Sequence, residues 1–325
     1  MPEGDAVWRT ARRLDEALAG RVLACSDFRV PRFATTDLTG RTVTETLSRG
    51  KHLLTRVAGG LTVHTHLRME GSWRIRPARG YLPHDHRIRL VLGNDQYQAL
   101  GYQLGLVEVL PTRSETRVVG HLGPDLLGPD WDEAEVVRRL RAGPDRAVGE
   151  ALLDQRNLAG IGNIYKNELL FLRGLDPWRT VGSIGDLGAL VGLARQLLDA
   201  NKDRAGQVTT GNPARGQQNW VYGRPGQPCR RCGTAIRTAR NSGQHTDPED
   251  RVTFWCPRCQ LLPGFLSRAA AMSRRPETGW SPGTSPWRRG AACVAARRRG
   301  CGTGPGRRPG RPRCSRRTPR TRSTG

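Results

Sequence analysis

The sequence of 325 residues is 36% hydrophobic and carries a formal net charge of +24. That balance leaves room for two or three folded domains and excludes a wholly disordered chain. No long apolar run is present and the start MPEGDAVWRT lacks the apolar stretch of a secretory signal, so membrane and secreted classes are set aside for a cytoplasmic protein. The stretch 268–325 holds 16 Arg, no Lys and a single acid, Glu277, but the residues before it are basic as well. A basic body suits a polyanionic partner without requiring one. Only Lys51, Lys166 and Lys202 are lysines, the mark of a coding bias toward Arg, so each retained Lys is a candidate for a specific role.

Directly after MPEGD, Val7, Ala11, Leu14 and Leu18 recur at helical spacing and Gly20 follows as a stop, which predicts an opening helix. Short alternating runs such as 61–67 and 88–92, punctuated by Gly59-Gly60, Gly80 and Asn94-Asp95, then predict a β-sandwich or barrel ending near Pro111. The passage Gly123-Pro124 to Gly128-Pro129 reads as a linker. Beyond it the period lengthens: Ala134, Val137 and Leu140, and later Leu187, Leu190, Leu193, Leu197 and Leu198, belong to helices of a second domain of four or five helices. The resulting division is 1–115 for a β-sandwich domain, 116–222 for linker and helices, 223–267 for a Cys-rich module, and 268–325 for an Arg/Gly/Pro-rich tail. That tail has no apolar periodicity and cannot offset the entropy of ordering, so it is read as disordered, either a nucleic-acid-binding arm or a solvated extension.

Three segments carry chemistry. Cys229-x2-Cys232 and Cys256-x2-Cys259 supply four thiolates in two knuckles, a closed tetrahedral set for one structural Zn2+ with a β-hairpin between them. If Met1 is removed, Pro2 presents a secondary amine with a pKa of about 7.7–8.0, able to attack a sugar carbon, and Glu3 beside it could supply a proton. In Asp154-Gln155-Arg156-Asn157-Leu158-Ala159-Gly160-Ile161-Gly162-Asn163, the glycines permit a tight turn and Asn163 opens a helix whose free N–H groups favour a phosphate. This is a helix, two-turn, helix pattern.

The start MPEG, the turn segment QRNLAGIGNIYKNE and the ending RVTFWCPRCQ together resemble the formamidopyrimidine-DNA glycosylase and endonuclease VIII family, over roughly residues 1–265. The resemblance implies a multidomain α+β protein: an N-terminal β-sandwich, a helix-two-turn-helix domain and a four-cysteine zinc-ribbon hairpin. It implies a monomeric, nucleoid-associated enzyme acting on double-stranded DNA that contains a damaged base or abasic site, with no redox or nucleotide cofactor. Pro2 resembles the family's Schiff-base nucleophile and Glu3 its general acid. Lys51, in Arg49-Gly50-Lys51-His52, matches the catalytic-domain lysine near the lesion phosphate. Asn163 and Arg251 look like the pair that clamps the phosphates flanking a flipped nucleotide. The segment His66-Leu67-Arg68-Met69-Glu70-Gly71 is similar to the loop that fills the gap left by the extruded base, with Arg68 and Met69 as its DNA contacts; a core methionine is the competing reading of Met69.

Two departures qualify the match. Many relatives place a second glutamate at position 6, where this chain has Ala6 preceded by Asp5, so a carboxylate contact to the sugar is expected to be missing. The segment 101–110 lacks the Arg-Phe pair of the oxidised-purine branch, and 210–221 is short for that branch's lesion-capping loop. Both favour the endonuclease VIII branch. The expectation is a bifunctional DNA glycosylase and AP lyase that prefers oxidised pyrimidines and cuts by β,δ-elimination through a Pro2 Schiff base. The alternative is a zinc protein that binds damaged or single-stranded DNA with weak or no glycosylase activity.

Overall fold

The computed structural model describes residues 2–78, 84–240 and 252–261. Helix α1 (Gly4–Leu18) opens the chain. Its predicted stripe of Val7, Ala11, Leu14 and Leu18 is the buried face, each such side chain stabilising the fold by about 1.5–3 kcal/mol for the larger ones. Gly20, at φ +74°, turns the chain out of the helix.

Eight strands follow: β1 (Cys25–Phe28), β2 (Val43–Arg49), β3 (His52–Val57), β4 (Leu61–His66), β5 (Ser72–Pro77), β6 (Ile88–Gly93), β7 (Tyr97–Tyr102) and β8 (Leu106–Pro111). They pair antiparallel into two four-stranded sheets ordered β1-β6-β7-β5 and β2-β3-β4-β8. Leu53, Val57, Val63 and Val107 point into the core that both sheets share with α1. Alternation then places His52, Arg56, Thr62, His64, His66 and Glu108 on the opposite face of the second sheet. The segment after β8, including helix α2 (Thr116–Val119), partly covers that face: Glu115 accepts from Arg56 Nη2 at 2.7 Å and from the Thr62 hydroxyl at 2.6 Å.

The helical part contains α3 (Glu133–Arg141), α4 (Val148–Leu153), α5 (Asn163–Leu172) and α6 (Leu187–Asn201). Asp132 and Asp186 cap α3 and α6, accepting from Glu135 N at 3.0 Å and Ala189 N at 2.8 Å. In α6, Leu187, Leu190 and Leu198 are buried, with Leu193 and Leu197 packed beside them. In α3 the predicted Ala134, Val137 and Leu140 all lie within the helix; Val136 and Leu140 are buried and Val137 packs against the same core, while Ala134 is exposed. The Gly/Pro passage at 123–129 is no loose linker: Leu122 to Leu126 are buried, and Asp125 bridges to Ala159. Strands β9 (Arg237–Arg240) and β10 (Val252–Trp255) form the predicted hairpin near the cysteines. Among the described residues no helix is long and apolar enough to cross a membrane, and the tail 268–325 lies outside them.

Candidate active site and nucleic-acid interface

The site is built where the chain's start meets the glycine turn before α5. Gly4 N donates to Gly160 O at 2.8 Å, and a Cβ on Gly4 would stand 2.9 Å from Gly160 Cα. A side chain at position 4 would block this approach, and Gly160 takes φ +105°, a conformation that favours glycine. This contact buries Glu3 completely. Its carboxylate accepts from Gly162 N at 2.7 Å, Ile164 N at 2.7 Å and Tyr165 N at 3.4 Å. The expectation that the first amides of α5 stay free for a phosphate is therefore corrected: Glu3 occupies that anion position. Loss of solvent pushes the Glu3 pKa up to about 7, against the lowering effects of Lys51 and of the amide donors, while the Asp5 charge adds to the rise. At neutral pH the group is divided between acid and base.

Lys51 stands half-buried in the tight turn joining β2 to β3. Gly50 holds that turn at φ +58°, and its amide donates to the buried Asp125 Oδ2 at 2.7 Å, so the Gly/Pro passage anchors the lysine's backbone. Arg68 is exposed at φ +49°, its amide donating to His66 Nδ1 at 2.9 Å. Met69 beside it is half-buried and lies outside the apolar core, which favours a loop role over a core methionine.

Position 6 holds alanine, but Asp5 brings a second carboxyl group to the site. It is fully buried and accepts from Gln207 Nε2 at 3.0 Å. Desolvation raises its pKa, Gln207 and neighbouring donors opposing the rise. Its Oδ2 and the Tyr165 hydroxyl are both buried without a hydrogen bond of standard geometry, and each acts electrostatically on the other. The loop after Gln207 is fixed by Glu168, whose buried carboxylate accepts from Trp220 N at 2.7 Å, Val221 N at 2.9 Å and Tyr222 N at 2.8 Å, and from the Thr209 hydroxyl. Asp125, Glu168 and Gln207 were given no role from sequence, and Asp5 only as the neighbour of Ala6, since a side chain that serves a distant partner leaves no local pattern.

The four cysteine Sγ atoms lie within 4.8 Å of one another. Cys232 to Cys256 is 3.4 Å and Cys229 to Cys259 is 3.9 Å, close to the edge of a tetrahedron with Zn–S bonds of about 2.3 Å. Cys229, Cys232, Cys256 and Cys259 thus form a closed site for one structural Zn2+. The hairpin they organise docks on α5: Asn163 Nδ2 donates to Val252 O at 2.9 Å, Lys166 Nζ to Thr253 Oγ1 at 2.8 Å, and Phe254 N to Asn167 Oδ1 at 2.9 Å. Asn163 is therefore brought beside the residue that follows Arg251. Arg251 itself lies outside the described residues. Lys166, fully buried, is a site residue for which the scarcity of lysine was the available signal.

Residues 1–102 match the formamidopyrimidine-DNA glycosylase N-terminal domain, 122–199 the formamidopyrimidine-DNA glycosylase H2TH domain, and 226–247 the zinc finger found in FPG and IleRS. The chain is 58% identical to the probable endonuclease 8 2 of Streptomyces coelicolor over 267 residues, 81% of this chain and 95% of that one. The chain belongs to the formamidopyrimidine-DNA glycosylase and endonuclease VIII family. A second member of the family, the DNA-(apurinic or apyrimidinic site) lyase Nei2 of Mycolicibacterium smegmatis, is 50% identical over 260 residues, 80% of this chain and 99% of that one. Among solved structures, the Lactococcus lactis Fpg in complex with DNA containing an abasic site superposes with a TM-score of 0.66 at 25% identity, covering 80% of this chain and 100% of that one. Relatives of the formamidopyrimidine-DNA glycosylase and endonuclease VIII family that carry the endonuclease 8 name thus lie nearer in sequence than that Fpg does.

Proposed function

We propose that this protein is a DNA glycosylase and AP lyase of base excision repair that uses Pro2 as its nucleophile and Glu3 as its proton donor, with oxidised pyrimidines as preferred bases. The observation that carries the reading is the wholly buried Glu3 carboxyl at the chain's start, gripped by the turn before α5 and poised with a pKa of about 7. A group tuned near the working pH is suited to give up a proton and take one back.

In the proposed sequence the Pro2 nitrogen attacks C1′ of a nucleotide turned out of the stack. The C1′–base bond breaks, a proton supplied from Glu3 assists, and the sugar opens to an iminium on Pro2. Loss of the C2′ proton then expels the 3′ phosphate, and a second elimination expels the 5′ phosphate. Lys51, Asn163 and Arg251 hold the flanking phosphates, and Arg68 and Met69 fill the vacated space. Zinc takes no part in the chemistry; it shapes the hairpin whose strand Val252–Trp255 docks on α5.

Borohydride trapping tests the reading, because it converts an iminium to a stable amine. The protein should become covalently attached to abasic-site DNA through residue 2. Binding without any trapped product would instead support a damaged-DNA-binding protein lacking lyase chemistry.

A further inference from the structure

Three side chains on the outer face of the second sheet form a continuous hydrogen-bonded chain that the reaction just described does not use. His64 is buried to 1% exposure. Its Nδ1 lies 2.6 Å from Glu108 Oε1 and its Nε2 lies 2.8 Å from His52 Nδ1. His64 and Glu108 are direct partners across β4 and β8, and His52 sits diagonally across β3, so strand register fixes the alignment. Glu108 at the far end borders a surface cavity of about 370 Å3 with Arg32, Ser114 and Arg117. At the near end His52 adjoins Lys51, and its ring centroid is 5.0 Å from His66 and 6.4 Å from His121.

The chain sets the tautomers. With Glu108 ionised, its oxygen can only accept, so His64 Nδ1 carries a proton and His64 Nε2 is bare. His52 Nδ1 must then donate to it, leaving His52 Nε2 as a lone pair. That nitrogen has no hydrogen-bond partner among the described residues and is not sealed from solvent. His66 is opposite in sense: its Nδ1 accepts from the Arg68 amide, so its Nε2 carries the proton and is already a donor. In the DNA-free protein, burial, the rings of His66, His64 and His121 and the charge of Lys51 keep His52 neutral, with a pKa lowered to about 3. Burial followed by Lys51, Arg68 and His64 lowers His66 to about 4.

A lone pair facing an arriving phosphate repels it; a proton on that nitrogen reverses the interaction. We propose that the Glu108–His64–His52 chain takes up one proton when a DNA phosphate docks beside Lys51 and His66, turning His52 Nε2 from an acceptor into a donor to that phosphate. The inference rests on the reading of Lys51 as a phosphate contact. The proton comes from solvent, one N–H bond forms, and the positive charge is balanced by the phosphate in front and by Glu108 behind. A phosphate charge about 4 Å away favours the protonated ring by roughly a thousandfold at an effective dielectric near 20. Neither His66, which has no such carboxylate behind it, nor Lys51 gains a new donor by this route.

The test is calorimetric titration of the full-length zinc-loaded protein with a duplex carrying a stable tetrahydrofuran abasic analogue, at one pH in two buffers of different ionisation enthalpy. Wild-type protein should take up close to one proton per complex near pH 5, where the free ring at about 3 is neutral and a ring favoured roughly a thousandfold by the phosphate is charged, with the uptake fading toward pH 7. Because the bound ring has the higher pKa, affinity should fall by up to about tenfold per pH unit as pH rises between the free and bound values. His52→Gln and Glu108→Gln should each abolish that uptake while binding weakens, whereas His66→Gln should keep it. The difference between wild type and His52→Gln separates this proton from any taken up by Glu3 or the terminal amine. Binding with no uptake, or uptake lost in His66→Gln and kept in His52→Gln, would overturn the proposal and leave the DNA reading standing. Failure of the wild type to bind the duplex would remove the reading beneath it.

Discussion

At the scale of single residues, the site depends on where one carboxyl group is held. Protein whose terminus is blocked, or that retains Met1, should still bind lesion DNA but yield no borohydride-trapped product and no elimination, checked on a denaturing gel. Glu3→Gln should lose base excision by at least about a hundredfold yet lose much less cleavage at a preformed abasic site, since the base has already gone. The pH dependence separates the same two activities. Glu3 is protonated below about pH 7, so the acid form needed for base release declines as pH rises through that value, while the terminal amine gains its free form toward about pH 8. The ratio of base excision to abasic-site cleavage should therefore fall between pH 6 and pH 8 in single-turnover assays. Gly162→Ala should mimic Glu3→Gln, because a Cβ there would lie 2.5 Å from Glu3 Cδ.

At the scale of elements, the zinc hairpin and α5 act as one unit. Chelation, or Cys256→Ala, should abolish lesion binding while leaving the β-sandwich folded, because the metal organises the hairpin and not the sandwich core; fluorescence anisotropy with circular dichroism reads both. Lys166→Met should loosen the hairpin by about 1–3 kcal/mol by removing the buried Lys166–Thr253 hydrogen bond, seen as faster amide exchange at Val252–Trp255. The elements themselves were legible where a pattern is local: the stripe of α1, the alternation of β4 and β6, the paired Cys knuckles. What sequence did not reveal is which polar groups meet across elements. Glu3 was visible as a carboxylate beside an amine, but not that its partners are the amides of 162, 164 and 165. The 123–129 passage looked like a spacer because glycine and proline mark turns in exposed linkers and in buried anchors alike. Ala6 suggested a missing acid, and Asp5 lies buried one residue earlier because the first helical turn points it at Gln207.

At the scale of the molecule, charge is spread over the body and the tail differently. If the 16 arginines of 268–325 engage duplex phosphates, deleting that stretch should flatten the log–log dependence of affinity on salt by roughly 0.9 for each phosphate they neutralise, with cleavage retained; binding isotherms at several salt concentrations measure it. The body's activity has a different requirement. The acid at residue 3 and the amide at residue 162 that grips it are 159 positions apart. At a synthesis rate of roughly 5–20 residues per second, about 8–30 s pass on the ribosome between emergence of the first and of the second. Throughout that interval the nascent chain carries Glu3 without the amides that bury and grip it in the finished fold. On the proposed mechanism, a message broken before the glycine turn yields a fragment unable to excise bases, so the competence to act on DNA arrives only with the later half of the polypeptide.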